Sequence, residues 1–178
     1  DNTSIGKSAL QANTTGGQNV ALGKSALQSN TTASGNTAVG FNTLGNNTTG
    51  DRNVAIGYAA LDTNTVGDRS VAIGYSALTT QNPSSNADMY NTAVGHNAMA
   101  ATTTGTLNTA VGGLALDANS TGSYNTALGY LTLSNSTTAS SNTALGAQAL
   151  QANTTGTRNT GLGHNALAAN TTGNYNVA

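Results

Sequence analysis

Two histidines, His96 and His164, and six carboxylates are the whole supply of imidazole and carboxylate in this 178-residue sequence, which also lacks cysteine. Catalysis needs an acid, a base or a nucleophile that converge, and here they are scattered along the chain. The two histidines fall at the same place in a repeat but four coils apart, about 19 Å at the roughly 4.8 Å spacing of stacked strands, too far to share a metal. The residues therefore read as no enzyme, with no cofactor and no metal site. A pattern of aromatic and basic residues is more suggestive. Phe41, Tyr58, Tyr75 and His96 recur at one repeat position, and Arg52, Arg69 and Tyr90 at another. Aromatic faces pack against sugar rings, and Tyr and Arg are enriched at binding hot spots, so these two strips are the candidate ligand contacts. The same spacing equally suits a cross-coil packing ladder that stabilises a thin rod.

The elements that position these strips follow from self-similarity. Repeats open at Asn2, Asn19, Asn36, Asn53, Ser70, Asn91, Asn108, Asn125, Asn142 and Asn159, and an eleventh opens at Asn176. Each is 17 residues long except the fifth, which is lengthened by a loop insertion at about residues 81–86 around Pro83, the one proline. The second position is always Thr or Val and the fourth always Ile, Val or Leu, which predicts a short strand with its β-branched residues on one face. The opposite face of that strand carries Asn, Ala and Gly, small enough for another sheet to approach, and is expected to be a chain-to-chain contact. The fifth position is Gly in all ten repeats: Gly6, Gly23, Gly40, Gly57, Gly74, Gly95, Gly112, Gly129, Gly146 and Gly163. Such a column implies a positive φ or a close backbone approach. The ninth position is Leu, or Met99 once, within segments such as Ser8 to Ala12 that read as a second strand. Asn-Thr-Thr-Gly, as in Asn13 to Gly16, has the chemistry of a turn.

The fold class this predicts is all-β: a parallel β-solenoid of ten coils, forming a rod roughly 48 Å long. Helical solenoids are disfavoured because each Gly in a helix interior costs about 1 kcal/mol relative to Ala. A coil with so few interior aliphatic side chains is a thin core, so oligomerisation, a homotrimer or fibre, is expected to cover the remainder.

Composition excludes several partners. The chain has 25 Asn and 31 Thr, 6% charged residues and a net charge of −1. Nucleic acid needs clustered Lys and Arg, and the five here are dispersed. No apolar run approaches the roughly 18 residues of a membrane span, so no membrane insertion is expected in this segment. Sequons such as Asn170-Thr171-Thr172 read as turns. The sequence opens and closes inside a repeat, as an excerpt of a longer fibre would.

Ser70-Val71-Ala72-Ile73-Gly74 and Asn53-Val54-Ala55-Ile56-Gly57, recurring along the whole chain, resemble the head repeats of trimeric autotransporter adhesins of the Yersinia adhesin type, repeats also found in bacteriophage tail fibres. The resemblance implies a trimeric left-handed β-roll. It also implies an extracellular location, on a bacterial cell surface or a virion tail, where the rod attaches to a host-surface protein or carbohydrate. The 17-residue unit is longer than the family's, with Asn-Thr-Thr-Gly as the extension, so the architecture transfers and no ligand-contact residue does. The expected function is an adhesin or structural fibre segment. The alternative is a single-chain solenoid with a Thr-rich face for ice, although the paired threonines, such as Thr48-Thr49, sit in turns rather than on a flat strand.

Overall fold

A computed structural model describes residues 1–178 and has no helix. Each coil contributes one three-residue strand: β1 (Thr3–Ile5), β2 (Val20–Leu22), β3 (Thr37–Val39), β4 (Val54–Ile56), β6 (Val71–Ile73), β8 (Thr92–Val94), β9 (Thr109–Val111), β10 (Thr126–Leu128), β11 (Thr143–Leu145) and β12 (Thr160–Leu162). They stack in chain order into one ten-stranded parallel sheet. The register never slips: Thr37 pairs Val54, and Val71 pairs Thr92 across the lengthened coil. A parallel β-solenoid is thus the architecture. The lengthened coil adds only β7 (Ala87–Asp88), just after the inserted loop, paired with β5 (Gly67–Asp68) in a two-stranded side sheet.

The strand's two faces are the reverse of the sequence-based expectation. The third-position alanines, Ala21, Ala38, Ala55, Ala72, Ala93, Ala110, Ala127 and Ala144, are fully buried. So are most of the first-position asparagines. The small-residue face is therefore the inside of the coil and is not open to another chain. The β-branched and aliphatic second and fourth positions point out, with Leu22 44% and Leu128 43% exposed. The interior is only wide enough for an alanine on the strand side opposite an alanine and a leucine from the far wall, as in Ala55 against Ala60 and Leu61.

That far wall is not a second strand. Ser8 to Ala12 and its counterparts are turns in which the seventh and ninth positions adopt left-handed backbone, with Ser76 at φ 52° and Leu78 at φ 51°. Leucine there costs roughly 1–2 kcal/mol. The alternation aims successive amides at neighbouring coils: the Ser76 N–H donates back to the Tyr58 carbonyl at 2.9 Å and the Leu78 N–H forward to the Ala98 carbonyl at 3.1 Å. Of 110 backbone hydrogen bonds only 19 join two strand residues, and the turns bond from coil to coil as the sheet does.

Buried amides close each coil. Asn53 Nδ2 donates to the Gly67 carbonyl 14 residues on, at 2.9 Å, and Asn53 Oδ1 accepts the backbone N–H of Ser70 in the next coil, also at 2.9 Å. A second amide column at the twelfth position links coil to coil, as in Asn47 Nδ2 to Asn30 Oδ1 at 3.1 Å. Where the first column has Ser70, the second has Gln81, whose longer side chain makes up the difference: its Oε1 accepts Ser70 Oγ at 3.1 Å and Asn91 Nδ2 at 2.9 Å. The fifth-position glycines have both properties expected of them. Gly74 sits at φ 138°, and a Cβ there would lie 2.4 Å from the Gly95 carbonyl oxygen.

The twelfth column is broken at Ser136, which is too short to reach back. Its Oγ and Asn119 Oδ1 are both buried without a partner. Ser136→Asn, which places in coil eight the residue that coils two, three and four hold there, should restore the link. We expect a gain of about 1 kcal/mol in urea unfolding; unchanged or lower stability would contradict the ladder as the source of cohesion.

Candidate binding surface

The outer face of the ten-stranded sheet is an apolar strip bordered by the two candidate columns. The seventeenth position precedes each strand and the sixth follows it beyond the glycine, so one column flanks each edge.

At the sixth position, Phe41, Tyr58, Tyr75 and His96 form one continuous ring stack. Centroids are 5.3, 5.0 and 5.2 Å apart and the rings lie within 12° of parallel. Lys24 of the preceding coil places its Nζ 5.3 Å from the Phe41 centroid, closing that end with a cation–π contact. The rings are about half exposed, with Tyr58 at 49%. However, the exposed part is their edges, because each face within the stack is taken by its neighbour. A sugar needs a ring face, so Phe41, Tyr58 and Tyr75 are in a ladder geometry. The stack ends at His96, since coil seven has Gly113 at the sixth position and the next ring is Tyr130 of coil eight.

The seventeenth-position column is left-handed throughout, with Arg52 at φ 57°, Arg69 at 56° and Tyr90 at 50°. The Arg69 guanidinium pairs with the Asp88 carboxylate and lies 5.7 Å from the Tyr90 centroid, and the Tyr90 hydroxyl donates to Asp88 Oδ2 at 3.3 Å. Asp88 follows the insertion in the lengthened coil, so that coil supplies the acid that fixes Arg69. Arg52 is exposed and has no ion-pair partner. The structure thus brings Arg69 and Tyr90 together and leaves Arg52 free. Sequence reasoning reads Lys24 and Tyr130 as solvent-facing members of the sixth-position column and singles out none of Lys24, Asp88, Gly113 and Tyr130 as a contact. Three of them share the sixth-position spacing and could have been found by it; Asp88 lies in the lengthened part of the fifth coil, where the period gives no guidance.

No three His, Asp or Glu side chains lie close enough together to hold a metal ion. The sequon asparagines Asn30, Asn47, Asn119 and Asn153 are fully buried in the amide columns, so a glycosylating enzyme could not reach them without unfolding the coil. The thirteenth-position threonines are also engaged, as in Thr48 Oγ1 donating to the Thr65 carbonyl at 3.0 Å. Comparison with protein-family models, with curated proteins and with solved structures yields no match.

Two carboxylates on the tenth-position column are perturbed. Burial pushes both Asp62 and Asp117 above the usual carboxylate range. For Asp62 the hydrogen bond from Asn42 Nδ2 opposes this, and for Asp117 its own N–H and that of Ala118 do so. Asp117 Oδ1 has no partner at all. A raised carboxylate binds its proton more tightly folded than unfolded, so its contribution favours folding below the unfolded value near 3.8 and is lost as pH rises through the folded value. Asp117→Asn should therefore raise the melting temperature at pH 7, with the gain fading on acidification toward pH 3. Thermal unfolding across that range checks it, and a gain that grew on acidification would refute the burial argument.

Proposed function

We propose that this chain is a segment of an extracellular structural rod that assembles with two further copies, side by side and in parallel, and serves attachment or spacing at a bacterial or viral surface. The observation that carries this reading is the outward aliphatic face. Ile5, Leu22, Val39, Ile56, Ile73, Val94, Val111, Leu128, Leu145 and Leu162 form one column along the sheet, about 48 Å long at the strand spacing. A monomeric protein seldom exposes a contiguous apolar strip of that extent. The occupant that fits is a second copy of the chain. The strip has the 17-residue period of the chain itself, it carries no charge, and its two borders supply aromatic and basic residues of the kind found at interface rims. Closed rotational symmetry lets every copy bury its strip against its neighbours without leaving an open edge, and the resemblance of the Ser-Val-Ala-Ile-Gly units to trimeric adhesin heads favours three copies.

Within this reading the stacked rings of Phe41, Tyr58 and Tyr75 stiffen the rod rather than grip a ligand. A second reading rests on the same face: its second-position column is Thr in seven coils and lies flat beside the aliphatic column, the arrangement an ice-binding face would need if it stayed open to solvent.

Sedimentation equilibrium separates the two. The proposal expects a species of three times 17.5 kDa that becomes a folded monomer in the double variant Ile56→Lys, Val94→Lys, with its circular dichroism retained. A wild-type chain that remains monomeric at high concentration would overturn the assembly and leave the ice-binding alternative, to be tested by thermal hysteresis.

A further inference from the structure

We propose that the break in the aromatic ladder at Gly113 is a binding slot for a neutral pyranose, held between the ring faces of His96 and Tyr130. Consecutive sixth-position rings stand 5.0 to 5.3 Å apart. His96 and Tyr130 are separated by two coils, roughly 9.6 Å, so one ring of the series is missing between them. The floor of the gap is bare backbone, and the far wall is in place: a Cβ built on Gly113 would meet Tyr130 Cδ2 at 3.6 Å and Cε2 at 3.9 Å. Tyr130 therefore leans over Gly113 and is 56% exposed. Here, unlike within the stack, no aromatic ring lies against its face or against the far face of His96, since the ring pairs end at Tyr75 and His96.

The chemistry of the occupant follows from thickness, polarity and charge. A pyranose chair carries axial C–H groups on both faces and is thicker than a flat aromatic ring, so it suits a gap of two ring spacings and can meet both walls with C–H groups, the positive complement of an aromatic face. Its hydroxyls would point to the slot's outer side, where the Tyr130 hydroxyl, the His96 ring nitrogens and solvent can satisfy them. Between Asn91 and Ser141 the only residue with a formal charge is Asp117, so nothing there selects an anionic or cationic ligand. The molecule has no enclosed pocket; the slot is open on one side, as it must be to take one ring of a longer chain. The motif recurs once, less deeply, where Ala147 lies between Tyr130 and His164 with a methyl group on the floor.

The slot does not depend on assembly, and one set of samples tests both. Gly113 has no left-handed φ, and coils four, five and eight hold Tyr at this position, so Gly113→Tyr adds a ring that the fold already accommodates. The probes are the methyl pyranosides of glucose, galactose and mannose, added to the full chain and read by saturation-transfer NMR. We expect at least one to bind wild type with its ring protons shifted upfield by the two flanking rings. Gly113→Tyr should weaken that binding roughly tenfold, the loss of two face contacts. Gly113→Tyr with Ala147→Tyr, which completes the ladder from Phe41 to His164, should abolish it, with circular dichroism unchanged in both. No upfield-shifted signal with any of the three, or equal binding by the ladder-completing variant, would overturn the slot. If wild type binds no pyranoside and Gly113→Tyr loses self-association instead, the gap belongs to a side chain of a second copy and the saccharide assignment fails. Sedimentation of the same samples keeps the outcomes apart, because a trimer without sugar binding refutes only the slot, and a monomer that binds refutes only the assembly.

Discussion

The structure depends on a primary amide at the start of every coil but the fifth, buried from the second coil onward. Its Nδ2 shuts the coil by reaching the carbonyl 14 residues on, and its Oδ1 holds the first amide of the next coil, as Asn36 does with Gly50 and Asn53 at 2.9 Å each. Only a side chain with a donor and an acceptor on one short, planar head can do both. Losing one would strand a buried carbonyl and a buried N–H together, a cost of about 1–3 kcal/mol for each group. The pair Ser70 and Gln81 shows how the neighbouring column compensates where the amide is lost. When the first column gives up its amide, the second lengthens by one methylene, and Gln81 Oε1 bridges the Ser70 hydroxyl and Asn91 Nδ2.

That amide sets how narrow the coil must be, and the fifth-position glycine sets how closely the coils stack. Gly57 lies so close to Gly74 that a Cβ would come within 2.4 Å of the next carbonyl oxygen, so adjacent coils touch backbone to backbone at that corner. A strand tied so near the opposite wall by its amide has room on its inner face only for Asn, Ser, Ala and Gly. The larger side chains are pushed outward, and the surface becomes more apolar than the alternation of a half-buried strand would suggest. The exposed aliphatic column thus follows from the geometry of the coil: a core of one leucine and two alanines per turn leaves the larger aliphatic side chains outside.

This explains which features were legible in the sequence. Period, register, the strand at the second to fourth positions, the glycine column and the insertion were all readable, because each is a repeat-level regularity. Alternation in a strand such as Val54-Ala55-Ile56 distinguishes two faces without saying which is inside, and a preference for buried aliphatics chooses wrongly when the coil is too thin to take them. The left-handed leucines were illegible for a related reason. Leu61 at φ 52° goes against every local preference of its residue type, and only bonds to the coils on either side hold it there. The aromatic column was correctly placed by spacing, but spacing could not reveal that stacking uses up its faces.

In a molecule built by repetition, the places able to recognise something are those where repetition stops. A perfect column presents the same group on every coil and uses it to bind the next coil, which is what the amides, the thirteenth-position threonines and the first rings of the ladder do. Free bonding capacity arises where one coil omits its member. Ser136 leaves Asn119 Oδ1 and its own Oγ without partners, yet both are buried out of reach and act only on stability. Gly113 also leaves its neighbours unpartnered, but on the outside, where the open faces of His96 and Tyr130 meet solvent. The same kind of omission is a defect in the interior and an opening at the surface, and the side of the coil on which it falls decides which.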